Sequence, residues 1–249
     1  MITCHLEPEK WEAGEAELAP DEAHHLLHVL RAEEGAELRV VDGEGHAARA
    51  ELLRAHGSHA WIRLEERLEP APLEPRRILV QAPARGQRMD WLLQKATEIG
   101  CHEIWPMMTE RAVVKIAPGK DAAHKAARWQ AIALAACKQS GNPWMPRIAA
   151  PRPFAECLAA AAGRPAVFGC LTRESVPVPD ALRRFRAEGV REVLVFTGPE
   201  GDFTPGETEA MLAAGVVPVT LGPTVLRVET AALYALVAIA CEWSASRPG

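Results

Sequence analysis

The sequence predicts a small β-rich domain followed by an α/β domain built on a largely parallel sheet. Three observations predict this: the hydrophobic pattern changes partway along the chain, prolines crowd at the change, and the charge balance reverses there. Arg67-Leu-Glu-Pro-Ala-Pro-Leu-Glu-Pro75 holds three prolines in nine residues, a composition that disfavours helix and central strand and reads as a semi-rigid linker. Domains of residues 1–72 and 76–249 follow. Residues 1–75 carry 7 Lys and Arg against 17 Asp and Glu, a balance of −10, whereas residues 76–249 carry 21 against 16, a balance of +5. Phosphate neutralisation needs Lys and Arg, so a nucleic-acid partner fits the second part better.

In the first domain Asp21 is placed to cap a helix from Glu22 to Leu30. Glu37 to Val41, Ala47 to Leu53 and Ala60 to Leu64 read as strands, the first two joined by a turn at Asp42-Gly-Glu-Gly45, which suggests a small barrel. The second domain alternates strand and helix. Ile78 to Gln81 is a strand, and Met89, Leu92, Leu93, Ala96 and Ile99 then fall on one helical face, with Gly100 as the stop. Glu103 to Met107 is a strand. His124 to Ser140 is a helix with Trp129, Ile132, Ala133 and Ala136 inward, and Ala166 to Cys170 is a buried strand. Val193 to Thr197 and Val216 to Leu221 flank a helix starting near Pro205, and a last helix runs from Glu229 to Trp243, buried within the subunit or between two subunits. Ligands of such sheets sit where strands end and loops lead into helices, which selects the loops Leu171 to Ser175, Gly198 to Phe203 and Gly222 to Glu229.

Several classes are disfavoured. Met1 to Glu7 lacks the basic and apolar regions of a signal peptide, and the most apolar run, Ala231 to Cys241, is too short to span a bilayer, so the expectation is a cytoplasmic protein without membrane contact. The six cysteines contain no C-x-x-C pair, against a zinc ribbon or a disulfide scaffold, and read as buried free thiols. His24 and His28 lie one helical turn apart, but position 25 is His rather than the Glu of H-E-x-x-H and no third ligand is evident. Capping, packing or RNA contact is favoured over a metal, and no metal is expected.

Two loops carry the chemistry. Thr197-Gly-Pro-Glu-Gly-Asp-Phe203 lets the backbone turn tightly and approach a ligand after an apolar strand, although Gly-Pro also marks plain turns. Leu221-Gly-Pro-Thr-Val-Leu-Arg-Val-Glu-Thr230 places Arg227 and Glu229 between a strand end and an apolar helix, where charges are partnered or functional. The plainer reading is a helix start favoured by Glu229 and paired with Arg227. No G-x-G-x-x-G is present, which weakens a Rossmann-type cofactor site. Arg85, Arg88, Arg111, Lys115, Lys120, Lys125 and Arg128 either track phosphates or form a solvated surface.

Five ordered segments, spanning nearly the whole chain, give a specific resemblance. They are His24-His-Leu-Leu-His-Val-Leu-Arg31 with Asp42-Gly; Arg88-Met-Asp-Trp-Leu-Leu-Gln-Lys-Ala-Thr-Glu-Ile-Gly100; Lys138-Gln-Ser140 following Arg128-Trp129; Gly198-Pro-Glu-Gly; and Leu221-Gly-Pro with Leu226-Arg-x-Glu-Thr-Ala231. Together they resemble the ribosomal RNA small subunit methyltransferase E family of the SPOUT class. The resemblance implies a PUA-like β-barrel followed by a SPOUT-type α/β domain knotted as a trefoil, a homodimer, and methylation of N3 of a uridine in 16S ribosomal RNA, free or in the small subunit, with S-adenosylmethionine as cofactor. It implies that Leu171, Thr197, Gly198, Glu200, Gly201, Leu221, Gly222, Leu226 and Thr230 line the cofactor pocket. His25, Arg31, Arg85, Arg88, Arg111 and Lys138 are the expected RNA contacts. Arg227 stays protonated and cannot be a base, but it can hydrogen-bond a uracil carbonyl as charge develops; Glu229 or Glu200 accepts the proton or orients Arg227. The chain departs from the family's pattern at Asp202, where glycine is usual, and at Thr224 and Val228, in place of the usual Arg and Thr. Two alternatives stand beside this reading: a non-catalytic RNA-binding or ribosome-assembly protein on the same fold, and a SPOUT enzyme acting on another RNA.

Overall fold

The structure, a computed structural model, describes residues 1–117, 119–170 and 174–244. It divides into two compact units, one of Met1–Pro72 with Ala133–Met145, the other of Leu73–Ile132 with the residues from Pro146 onward.

The first unit is a five-stranded sheet of β1 (Ile2–His5), β2 (Glu15–Glu17), β3 (Glu37–Val41), β4 (Ala47–His56) and β5 (His59–Leu68), in the order β1-β3-β4-β5-β2. β1 pairs parallel to β3 and the other pairings are antiparallel. Alternate residues point inward, so Leu38, Leu52 and Ile62 are fully buried with Leu6 and Leu26. β3 has the expected bounds, β4 and β5 extend beyond the expected Ala47 to Leu53 and Ala60 to Leu64, and the short β1 and β2 are additional. The first helix also differs: α1 (Pro20–His24) starts at Pro20, and Ala19 precedes it without a side-chain cap. Proline presets the backbone angle for a first helical turn, so Asp21 lies inside that turn instead of capping it. A π-helical turn, His25–Val29, follows in place of a continuous α-helix to Leu30. It leaves His24, His25 and His28 exposed, with the His24 and His28 rings 4.8 Å apart.

Ala133–Met145 join this unit through backbone hydrogen bonds: Gly45 N–H donates to the Pro143 carbonyl (2.9 Å) and Met145 N–H to that of Gly43 (2.8 Å). Lys138 pairs with buried Glu22, whose other oxygen accepts from His5 N–H at 3.0 Å.

The second unit holds β6 (Arg76–Gln81), β7 (Glu103–Met108), β8 (Arg147–Ile148), β9 (Arg152–Pro153), β10 (Ala166–Gly169), β11 (Val176–Pro177), β12 (Glu192–Thr197) and β13 (Val217–Thr220). Their order is β11-β13-β10-β12-β6-β7-β8, with β9 beside β7, and every pairing among the described residues is parallel. The helices are α2 (Gln87–Glu98), α3 (Lys120–Ser140, whose last turns belong to the first unit), α4 (Phe154–Ala160), α5 (Val178–Ala187), α6 (Pro205–Ala213) and α7 (Val228–Ser244). A parallel sheet buries both faces. Leu79, Val167, Val193 and Val195 pack with residues of α2, α5 and α7, whereas Ile78, Val80, Phe168, Leu194 and Phe196 pack with Cys157 of α4 and Met211 of α6. Each such side chain contributes about 1.5–3 kcal/mol by leaving water. α2 buries the predicted face and stops before Gly100, and α3 begins at Lys120, four residues earlier than expected.

Four cysteines are buried, and burial pushes the thiols of Cys4, Cys101 and Cys137 up to about 12 and that of Cys157 to about 11, so they are inert. Cys170 is half-buried and Cys241 exposed, which narrows the expectation of six buried thiols.

Candidate cofactor and active site

Where β10, β12 and β13 end, their outgoing loops wall a cavity of about 370 Å³. Its floor is apolar strand, Val167, Val195 and Val219, each almost fully buried. The two glycine-containing loops form its sides. Thr197, Gly198, Pro199, Glu200 and Asp202 come from one, and Leu221, Gly222, Thr224, Val225, Leu226 and Arg227 from the other. Arg88 of α2 completes the rim, and Ala231 and Ala235 of α7 close the back.

Each loop is shaped by a local device. A Cβ on Gly198 would sit 3.1 Å from the Phe203 ring, so a larger residue displaces the ring or the turn. Gly222 has φ +121°, a region open to glycine alone, and is held by Thr220, whose Oγ1 accepts from Gly222 N–H (3.3 Å) and donates to its carbonyl (3.1 Å). Asp202 has φ +58°, a left-handed conformation that favours glycine; aspartate is among the few side chains that tolerate it, and its Oδ1 accepts from Phe203 N–H at 2.8 Å.

Basic residues gather on the Gly198–Phe203 loop. Glu200 Oε1 accepts from Arg85 N–H at 3.2 Å and lies 3.4 Å from Arg88 Nη1. Arg111 Nη1 donates to the carbonyls of Gly201 (3.1 Å) and Phe203 (3.3 Å). The turn bearing Arg111 is itself anchored, since Glu110 N–H donates to buried Glu207, which forms a capping box with Thr204 at the start of α6.

Arg227 immediately precedes α7, its carbonyl accepting from Ala231 N–H at 2.8 Å. Its exposed guanidinium makes no hydrogen bond or ion pair among the described residues, so the pairing with Glu229 expected of a plain helix start is not formed. Glu229 is 8% exposed in the first turn of α7, with Oε2 buried and unpartnered, and does not line the cavity.

Of the residues expected at the cofactor pocket, Thr197, Gly198, Glu200, Leu221, Gly222 and Leu226 line the cavity. Gly201 and Thr230 do not: Gly201 backs onto Arg111, and Thr230 lines a separate open groove with Trp91, Leu233, Tyr234 and Val237. Leu171 lies outside the described residues. Of the expected RNA contacts, Arg88 lines the cavity, Arg111 is committed to loop carbonyls and Lys138 to Glu22, while His25, Arg31 and Arg85 are exposed with side chains free of hydrogen bonds and ion pairs among the described residues. Gly169, Cys170 and Val225 are lining residues that motif reading passed over. The sequence signal for Val225 is an apolar residue inside the Leu221–Thr230 loop, and the structure leaves it 84% exposed.

The chain matches the family described as RNA methyltransferase domain over residues 71–240 and that described as RNA methyltransferase PUA domain over residues 18–65. It is 32% identical to the ribosomal RNA small subunit methyltransferase E of Synechocystis sp., covering 93% of this chain and 75% of the relative, and 30% identical to that of Bacillus subtilis, covering 92% and 90%. Among solved structures it resembles a Legionella pneumophila methyltransferase in complex with bound SAM (TM-score 0.84, 29% identity, 97% of each chain covered). It also resembles the ribosomal RNA small subunit methyltransferase E of Neisseria gonorrhoeae bound to S-adenosyl methionine (TM-score 0.82, 28% identity, 96% of each chain).

Proposed function

The chain belongs to the ribosomal RNA small subunit methyltransferase E family, and from that premise we propose that it transfers the methyl group of S-adenosylmethionine to N3 of a uridine in the 16S ribosomal RNA of the small subunit. The observation that carries the reading is one cavity walled by both glycine-containing loops, with Arg227, a guanidinium unpaired among the described residues, at its edge.

The cavity suits the cofactor. Its volume of about 370 Å³ falls in the range of small-molecule sites, its floor is apolar, and Gly198 and Gly222 bring backbone groups close to whatever fills it. The cofactor supplies an electrophilic methyl on a sulfonium; the protein supplies position and charge. Arg227 donates a hydrogen bond to a uracil carbonyl and stabilises the anion that forms as the N3 proton leaves to water at the exposed rim. Glu229, outside the lining, acts on the position of Arg227 through the first turn of α7 and not as the proton acceptor. His25, Arg31 and Arg85, whose side chains are uncommitted, contact the RNA.

The proposal extends to assembly and threading. No helix among the described residues is long and apolar enough to cross a membrane, and the site of action is the cytoplasm. α7 buries Ala232, Leu236 and Ile239 on one side yet leaves Tyr234 and Val237 exposed beside Trp91 along a groove of about 650 Å³, which supports a homodimer formed across that face. The C-terminal segment is threaded as a trefoil knot, a reading supported by β13 lying between β10 and β11, two strands that precede it in sequence.

Calorimetric titration with S-adenosylmethionine, followed by nucleoside mass spectrometry of treated 16S RNA, tests the function. Wild type is expected to bind and to produce N3-methyluridine, whereas a Gly198→Val, Gly222→Val double variant loses binding. A folded wild type that binds the cofactor but leaves uridine unmodified in both free RNA and small subunits would overturn the substrate assignment.

A further inference from the structure

We propose that Arg88 and Glu200 read the two charges of the cofactor's amino-acid end, Arg88 taking its carboxylate and Glu200 its ammonium. The inference rests on the reading of the cavity as the cofactor site, and it assigns Arg88 to the cofactor instead of to RNA.

The cavity has two kinds of wall. The strand residues Val167, Val195 and Val219 are almost completely buried and offer only apolar surface, suited to an aromatic base. The charged lining groups stand at the rim, and Arg88 and Glu200 are there together, their nearest atoms 3.4 Å apart. An α-amino acid carries a carboxylate and an ammonium on one carbon, so a protein that reads it needs a cation and an anion side by side on one wall. A nucleoside without that end has no use for such a pair.

The pair is built to be opened. Arg88 and Glu200 side chains are 45% and 27% exposed, and an exposed ion pair of this kind contributes only about 0–1 kcal/mol. Exchanging it for two charge-assisted contacts to a zwitterion therefore sacrifices little. Glu200 is nevertheless oriented: Arg85 N–H holds Oε1 at 3.2 Å and leaves Oε2 without a partner among the described residues. Arg88 presents the planar guanidinium that matches a carboxylate with two parallel hydrogen bonds. The other guanidinium of the lining, Arg227, belongs to the second loop, and the transfer itself requires it.

The test compares two ligands on the full chain by calorimetry: S-adenosylhomocysteine, which keeps the amino-acid end, and methylthioadenosine, which lacks it. Arg88→Gln and Glu200→Gln are each expected to weaken S-adenosylhomocysteine on the order of tenfold, the scale of losing one charged hydrogen bond, while leaving methylthioadenosine unchanged. Variants that weaken both ligands alike, or neither, would overturn this assignment while leaving the cofactor site standing. A folded wild type that binds neither ligand would overturn the site and this assignment together. Binding of 16S RNA without cofactor supplies a separate readout: a loss in Arg88→Gln alongside unchanged S-adenosylhomocysteine affinity returns Arg88 to the RNA.

Discussion

The two edges of the parallel sheet treat charge in opposite ways. Where strands begin, Arg76, Glu103, Arg147 and Glu192 are the first residues of β6, β7, β8 and β12, and they are bound to one another. Glu103 accepts from Arg76, from Arg147 at 2.7 Å and from the Trp105 indole at 2.8 Å, while Arg164 holds Glu192 at 2.7 Å. Burial alone raises the Glu103 carboxyl, but the Trp105 and Arg147 hydrogen bonds and the charges of Arg147 and Arg76 outweigh it and hold the group below its ordinary 4.5. Where strands end, the backbone turns through glycine loops, the Arg227 side chain has no partner among the described residues, and the Arg88–Glu200 contact is loose and partly exposed. Charges satisfied within the protein serve stability, and charges left open serve a ligand. The same residue types occur at both edges, so only their partners distinguish them.

That contrast breaks most sharply at Arg227. Arg227→Ala is expected to leave S-adenosylhomocysteine affinity nearly intact while lowering turnover about a hundredfold or more, the scale of one lost transition-state donor. Because the side chain makes no hydrogen bond or ion pair among the described residues, thermal stability should not move. An equal loss of cofactor affinity, measured by calorimetry beside single-turnover methylation, would make Arg227 a cofactor ligand.

Much of the second unit was legible because its main strands are continuous apolar runs and its helices are either amphipathic, like α2, or apolar nearly all round, like α7. The apolar face of α2, the apolar length of α7 and the runs of β6, β7 and β12 needed no knowledge of partners. Elements that exist only through a partner were not legible. β8, β9 and β11 are two-residue pairings on an existing edge, and nothing in Arg147–Ile148 or Arg152–Pro153 announces a strand. α5 did carry a pattern, with Val178, Ala181, Leu182 and Phe185 at helical spacing, masked by prolines that serve here as a first turn and not as a break. Ala133–Met145 lie within and just beyond one continuous amphipathic helix pattern, so their membership of the first unit had no local signal. At the site the glycine loops were legible as motifs, whereas the commitments of Arg111 and Lys138 were not, since a basic residue reads alike whether it faces phosphate, a carbonyl or a buried carboxylate.

The opening edge has its own test in His102. Burial first, then the charges of Arg77 and Arg76, push its imidazole down from 6.5 to about 4, and its Nδ1 accepts from Arg77 N–H at 3.1 Å. An unfolded chain therefore takes up this proton near pH 6.5, while the folded chain resists until about pH 4. Stability falls as pH drops through that window, by roughly 2 kcal/mol once partial solvent screening is allowed for. His102→Gln, which can still accept from Arg77, should flatten denaturant-derived stability across the window without altering cofactor affinity. Glu103 acts with the opposite charge and lower on the scale: its contribution is present above 4.5 and is lost as pH falls through its depressed folded value, so a decline below the His102 window should survive in the variant.

The smallest effect is expected at Asp202, where a side chain meets a backbone at φ +58°. Asp202→Gly relieves the cost of a side chain in the left-handed region but gives up the Oδ1 hydrogen bond to Phe203 N–H and frees the unfolded chain. These terms are each about 1 kcal/mol or less and oppose one another, so the melting temperature should shift by no more than about 2 °C. Asp202→Val has no compensation, because a β-branched side chain is strained at positive φ, and should cost about 1–2 kcal/mol. If glycine instead lowers stability as much as valine does, the carboxylate and not the backbone holds this loop. The closing edge would then depend, like the opening one, on a charge satisfied within the protein.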